Sequence, residues 1–196
     1  MAQDSEGFDL DAVGVPITGF AAVQLDGEPT FLASLDVTAE KITVPTGYEK
    51  IGLFKEDGGP ALSADDEDAT PFFQEGYKLA GDTTLTVQIG LAEMNSIVRR
   101  LTTGHTPDDN GMITVDRNIP DAKFPLLTVT KFKNGATLVR NGMARISAVE
   151  ADQEERGSVN GKATTFEWVK TVEVGGFFRE WLLQKADATV PETPAP

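Results

Sequence analysis

Two-residue alternation dominates the chain. In Thr84 to Ile89 the apolar side chains Leu85, Val87 and Ile89 share one face, and Thr84, Thr86 and Gln88 share the other. That is the pattern of a half-buried β-strand. From Thr164 to Val174, Phe166, Trp168, Val172 and Val174 lie on one face, interrupted by Lys170, while Thr165, Glu167, Thr171 and Glu173 line the opposite one with Val169. At the usual rise per residue such a strand runs roughly 35 Å, a length that suits a barrel wall. Asn134-Gly135 separates Phe124–Lys133 from Ala136–Val149 and predicts a hairpin. Asn160-Gly161 precedes the next strand, so residues 124–174 read as a meander connected by the acidic stretch Glu150–Gly161. Asn141-Gly142, inside the middle strand, is read as a bulge.

One segment follows a different period. Leu91, Met94, Ile97, Val98 and Leu101 recur as one helical face, Arg99 and Arg100 stand where the helix dipole favours cations, and Gly104 is placed to stop the chain. The spacing predicts a single helix over 91–103 lying on an apolar sheet face. The expected core is then Leu85, Val87, Ile89, Met94, Ile97, Val98, Leu101, Phe166 and Trp168. Residues 55–74 show neither period; they combine Gly58-Gly59-Pro60, the acidic run Asp65-Asp66-Glu67-Asp68 and the pair Phe72-Phe73. A loop of that length in a compact domain is usually functional, and phenylalanines beside carboxylates suit a docking loop.

The ends differ in composition from the middle. Residues 1–11 carry Asp4, Glu6, Asp9 and Asp11 with no base, and 186–196 carry three prolines with little apolar mass. They are expected to form an acidic arm and a disordered tail around one domain at 12–185. Of 196 residues, 31 are acidic and 17 basic, a formal charge of −14. Such a surface does not grip nucleic acid, whose phosphates are held by lysines and arginines. There is no apolar run of the roughly 18 residues that a membrane span needs, and the N-terminus does not resemble a secretory signal. A soluble protein that makes no membrane contact is expected.

Candidate chemistry is sparse. With no cysteine and one histidine, thiol catalysis, Cys-ligated metals and an all-histidine metal site within one chain are excluded. His105 stands in turn chemistry after Gly104 and reads as a surface loop residue. Asp65–Asp68 and Asp108-Asp109-Asn110-Gly111 lack the spaced ligands, central glycine and closing glutamate of a calcium loop. Among so many acids some carboxylate pair always exists, so a pair is not evidence of glycosidase chemistry. No nucleophile elbow, phosphate loop or dinucleotide fingerprint is present. Trp168, Trp181, Phe177 and Phe178 suit packing better than a sugar platform. The expectation is a non-enzyme with no cofactor and no metal.

Three stretches in order carry a resemblance. They are Gly47-Tyr48-Glu49-Lys50-Ile51-Gly52-Leu53-Phe54-Lys55-Glu56-Asp57-Gly58-Gly59; then Phe72-Phe73-Gln74-Glu75-Gly76 through Thr83–Ile89 to Leu91-Ala92-Glu93-Met94-Asn95 and the helix; then Glu150 to Lys162 followed by the Phe166–Val174 strand. Together they span about residues 47–183, and the chain resembles the major tail tube protein of long, non-contractile-tailed bacteriophages, particularly those of actinobacteria. The resemblance implies a mainly β fold: a two-sheet β-sandwich or partial barrel with one flanking α-helix, completing a large β-barrel by hexameric ring assembly. It implies rings stacked helically into a genome conduit in the virion tail, built in the host cytoplasm. Implied partners are further copies of itself, a tape measure protein, a tail terminator and distal tail or baseplate proteins, with double-stranded DNA only in passing. A single small barrel is filled by its own side chains, so a conduit for a duplex must in any case be oligomeric.

On this reading Asp65, Asp66, Glu67, Asp68, Phe72 and Phe73 are ring or stacking contacts. Either Glu167, Thr171 and Glu173 or Thr84, Thr86 and Gln88 line the bore, where acidic side chains would repel DNA and keep it moving. The competing readings are a minor tail component such as a terminator or baseplate-hub tube protein, a monomeric β-sandwich module that binds a glycan or protein, and an enzyme of unrecognised type.

Overall fold

The computed structural model describes residues 6–9, 12–34, 37, 42–115 and 122–184. The tail expected at 186–196 and most of the arm expected at 1–11 lie outside them. The fold is mainly β, with strands β1 (Pro16–Val23), β2 (Glu49–Lys50), β3 (Ala61–Asp66), β4 (Thr70–Pro71), β5 (Lys78–Leu79), β6 (Thr83–Leu91), β7 (Phe124–Phe132), β8 (Thr137–Ala151), β9 (Lys162–Val169) and β10 (Phe178–Leu183), and helix α1 (Ser96–Thr103). Instead of two stacked sheets there is one eight-stranded sheet, ordered β2-β1-β7-β8-β9-β6-β3, with β10 beside β8 and a small separate β4-β5 ladder. Every pairing is antiparallel.

The expected meander is present as β7-β8-β9. At Asn134-Gly135 the Gly135 amide donates to the Phe132 carbonyl and the Phe132 amide to that of Ala136, as in a three-residue hairpin loop. Asn141-Gly142 is not a bulge: pairing to β7 and β10 runs straight through it, and the shift in register lies between Ile146 and Ala148. A Cβ on Gly142 would lie 2.4 Å from the Phe177 carbonyl oxygen, so the glycine is there to let β10 approach.

Adjacent residues of β7 enter opposite cores. Phe124 and Leu126 join Ala21, Val23, Val87, Ile89, Ala144, Ile146, Phe166 and Trp168 on one face; Leu127 and Val129 join Leu32, Val37 and Val139 on the other. A strand covered on both faces reads as a continuous apolar run, as Phe-Pro-Leu-Leu does here. Phe166 stands between Val87 and Ile146 in register and meets Phe124 edge to face at 6.2 Å. Trp168 packs on Phe178 at 4.9 Å, and Trp181 packs against the second core. These aromatics are packing residues.

The first core is bridged at one end. After β2 pairs with β1, the Ile51 amide donates to the Ala21 carbonyl; a few residues on, the Lys55 amide donates to the Gly90 carbonyl and the Gly90 amide to that of Gly58. One segment thus ties the first strand to the sixth and draws the sheet into a curl that does not close as a barrel. The tie depends on two glycines, because a Cβ on Gly58 would sit 2.6 Å from the Gly90 oxygen.

Helix α1 covers this core with Val98 and Leu101, and Ile97 packs partly against it. It is shorter than expected, because Leu91 completes β6 and Asn95 is the N-cap, its side chain accepting from the Val98 amide. Met94 therefore precedes the helix and is exposed rather than in the core. Gly104 closes the helix in the left-handed region at φ 74°. Arg100 reaches the Asp26 carboxylate at 2.6 Å, anchoring the helix to the 24–30 turn and holding that carboxyl below its usual range.

Asn141 organises the second core. Its Oδ1 accepts from the Leu32 amide at 2.7 Å, and its Nδ2 donates to the Leu126 carbonyl and the Tyr48 hydroxyl. Tyr48 in turn donates to the Thr30 carbonyl. Burial pushes the Tyr48 phenol up from 10.0 to about 12, the Asn141 bond opposing it. A phenol raised on folding gives stability that is complete below pH 10 and is lost as pH rises toward 12. Denaturant titrations of the parent should show that alkaline loss between pH 10 and 12. Tyr48→Phe, though less stable at pH 8, should show a smaller loss; an unchanged slope would mean that Tyr48 is not its source.

Candidate assembly surface

The segment expected to be an irregular loop at 55–74 is mostly strand. β3 pairs along β6 from Ala61↔Gln88 to Asp66↔Thr83, and β4-β5 carries the arms on to a tip at Phe72–Tyr77. Asp65 and Asp66 are strand residues, Glu67 and Asp68 join the two ladders, and Phe73 at the tip is fully exposed. Phe72, Tyr77 and Leu79 are exposed beside it. The Phe72 amide donates to the Tyr77 carbonyl, which fixes the tip as a turn.

Among the described residues β3 has a partner on one side only, and all six of its own residues are exposed. The Glu67 amide donates to the Asp82 carbonyl. Antiparallel alternation then directs the amides of Asp65, Ser63 and Ala61 toward β6, and those of Leu62, Ala64 and Asp66 toward the open side. At the other side of the sheet β2 covers only Ala22 and Val23 of β1, so the outer edge of β1 from Pro16 to Phe20 has no ladder partner among the described residues.

Of the two sets of residues offered by the sequence as alternative bore linings, Glu167 from one shares a surface with Thr84, Thr86 and Gln88 of the other. Thr86 is opposite Glu167 and Gln88 opposite Thr165, so Thr84, Thr86, Gln88 and Glu167 occupy one face of β6-β9, continued on β3 by Ser63 and Asp65. Thr171 and Glu173 are not part of it. β9 ends at Val169 and the chain turns, with Thr171 bridged to Gly176, because β10 takes the place along β8 that a longer β9 would need. Val172 is accordingly exposed, while Val174 is buried.

This face is hydroxyl- and amide-rich rather than strongly acidic. Glu167 is neutralised by Arg145 at 2.9 Å across the β8-β9 ladder. The acids are concentrated on the 65–68 corner and the 150–155 connection, where Lys55 binds Asp152 at 2.6 Å and lowers its carboxyl below the ordinary range. Arg145 was not singled out in the sequence, although a base between Ala144 and Ile146 on a strand must face away from the core. The Asp108 side chain accepts from the Asn110 and Met112 amides, so its carboxylate serves a turn. His105 is exposed, its amide held by the Thr103 hydroxyl. Among the described residues there is no group of three metal-ligating side chains, and no helix is long and apolar enough to cross a membrane.

No model of a known protein family matches the chain, and no curated protein does. What bears on function is therefore the surface itself: two open strand edges, a polar sheet face between β3 and β8, and an apolar tip on a two-stranded extension.

Proposed function

We propose that this chain is a structural subunit that polymerises, as stacked hexameric rings, into the tube of a long non-contractile phage tail. The observation that carries this reading is the fully exposed β3 edge continuous with a polar sheet face. An open edge is a template for strand pairing, and a soluble domain that keeps one uses it or blunts it. Joined edge to edge, copies would continue their polar faces into a common wall, with the apolar core behind it.

Threonines, Gln88 and a neutralised Glu167 make a wall with little fixed charge. Such a wall offers phosphates no lysine or arginine array to bind, and a duplex can slide past it. Of the acids at 65–68, Asp65 stands on that wall, and those at 150–155 then have their place at outer connections rather than along the bore. The partners in this reading are other copies, the tape measure, the terminator and the distal tail proteins, and the subunit performs no catalysis.

Electron microscopy of the purified protein, alone and with a tail-initiating partner, tests it. Hollow filaments with six-fold end views are the expected result. A monomer that persists under both conditions and at high concentration would overturn it.

A further inference from the structure

We propose that the tie between β1 and β6 is closed by a latch, Lys55 on Asp152, which opens in acid and frees residues 53–58 while the rest of the sheet stays paired. The inference goes beyond the assembly reading and does not need it, because it concerns a single copy.

The tie is anchored at its start and lightly held after that. Ile51 is fully buried in the first core, and Phe54 packs partly against it. Beyond Ile51 the backbone is held at separate points: the Ala92 amide donates to the Leu53 carbonyl, the Lys55 amide to that of Gly90, and the Gly90 amide to that of Gly58. Leu53 is 71% exposed. A segment with few buried apolar side chains and scattered backbone bonds is the kind that opens by itself, at less free energy than the sheet beneath it.

Two carboxylates fasten it from outside. Glu93 Oε1 accepts from the Leu53 amide at 2.7 Å, and Glu93 Oε2 accepts from Asn95 Nδ2 at the helix cap. Asp152 Oδ2, in the connection after β8, accepts from Lys55 Nζ at 2.6 Å and from the Gly161 amide at 3.1 Å. The Asp152 amide donates in turn to the Gly161 carbonyl, so this carboxylate is positioned by its own turn and the lysine is what the tie adds. Hydrogen bonds between ionised partners are about twice as strong as neutral ones, which makes this contact the sensitive one.

Among the described residues, the charged side chains lining the cleft around the pair are Lys55, Asp57 and Asp152; Gln88, glycines and alanines complete it. On the connection itself Glu150, Glu154 and Glu155 are exposed. The Lys55 hydrogen bond holds the Asp152 carboxyl below its ordinary 3.8, with burial opposing it and the Gly161 amide adding to it. A carboxyl lowered on folding contributes fully above that ordinary value, and its contribution is lost as pH falls through the lower folded-state value. Asp152 then takes up a proton, and Lys55 keeps only Asp57 as a charged neighbour in the cleft.

Hydrogen exchange read by mass spectrometry, with each rate divided by that of the unstructured chain at the same pH, tests the latch. Between pH 6 and pH 3 the protection of residues 53–58 in the parent is expected to fall at least tenfold more than that of β7 and β8. Asp152→Asn, which keeps the shape and removes the charge, should show most of that loss already at pH 6 with β7 and β8 unchanged. Lys55→Met, which keeps the aliphatic stem, should do the same from the other partner. Glu56→Gln, which removes an exposed carboxylate from the same segment, should behave like the parent. Protection that falls equally in residues 53–58 and in β7-β8 of the parent would overturn the latch. So would Asp152→Asn and Lys55→Met proteins that protect residues 53–58 at pH 6 as well as the parent does. These readouts are the same whether or not copies assemble, so a failure here leaves the assembly reading standing.

Discussion

Phe166→Ala is expected to destabilise the subunit by about 3–5 kcal/mol, the range for emptying a large aromatic site in a packed core. Phe166 has no exposed surface, lies between Val87 and Ile146 on neighbouring strands, and presents its face or edge to Phe124. The strands on both sides are held by ladders, unbroken on the β6 side and shifted by one residue beyond Ile146 on the β8 side, and α1 is fixed by caps at both ends. The surroundings cannot collapse into the space, so the larger part of the range applies. For a domain of this size each kcal/mol moves the midpoint by about 2–4 °C, so thermal unfolding should begin roughly 10 °C earlier. Phe166→Leu, which keeps much of the volume, should recover more than half of the loss. A destabilisation below about 1 kcal/mol for the alanine variant would mean that this position is not the centre of the core.

Ala64→Pro is expected to leave the monomer folded and to raise the concentration needed for polymerisation at least tenfold. The Ala64 amide points to the open side of β3, so a proline there takes nothing from the β6 ladder and removes one donor from the joint. A lost interchain hydrogen bond is worth about 0.5–1.5 kcal/mol, and the ring adds a steric clash with the incoming strand. The sum exceeds the 1.4 kcal/mol that makes a factor of about ten. Ser63→Pro is the contrasting variant. The Ser63 amide points to β6, so the same substitution one residue earlier should loosen the hairpin itself and be visible as a lower melting temperature. Sedimentation and light scattering across a concentration series would measure both. If Ala64→Pro polymerised like the parent, the β3 edge would not be the joint.

Sequence period located most of the sheet for a physical reason: where one face of a strand is buried, alternation is enforced residue by residue. That is why β6, β9, the β7-β8 hairpin and the helix were legible. β3 was not, because Ala-Leu-Ser-Ala-Asp-Asp is exposed on both faces and no burial imposes a period on it. Leu91 satisfied the strand series Leu85, Val87, Ile89 and the helical series equally, and only the Asn95 cap decides between them. The end of β9 was hidden differently. Val172 and Val174 continue the alternation, but the space beside β8 is already taken by β10, and that competition is tertiary. For the candidate site, the polar face was legible as two separate sets and their adjacency was not, since register between strands 80 residues apart in the chain leaves no local mark.

The tie from β1 to β6 through residues 51–58 has a consequence for symmetry. A subunit of a ring must hold its two joining edges at a set angle, and six-fold closure demands a different angle from five or seven. Here the tie within one chain fixes the angle during folding, so assembly on the proposed reading would cost little ordering of the chain. If the chain assembles as proposed, the close Gly58–Gly90 contact that holds the curl helps to set that angle. A methyl group at either position would spread the curl and change the angle between the two edges.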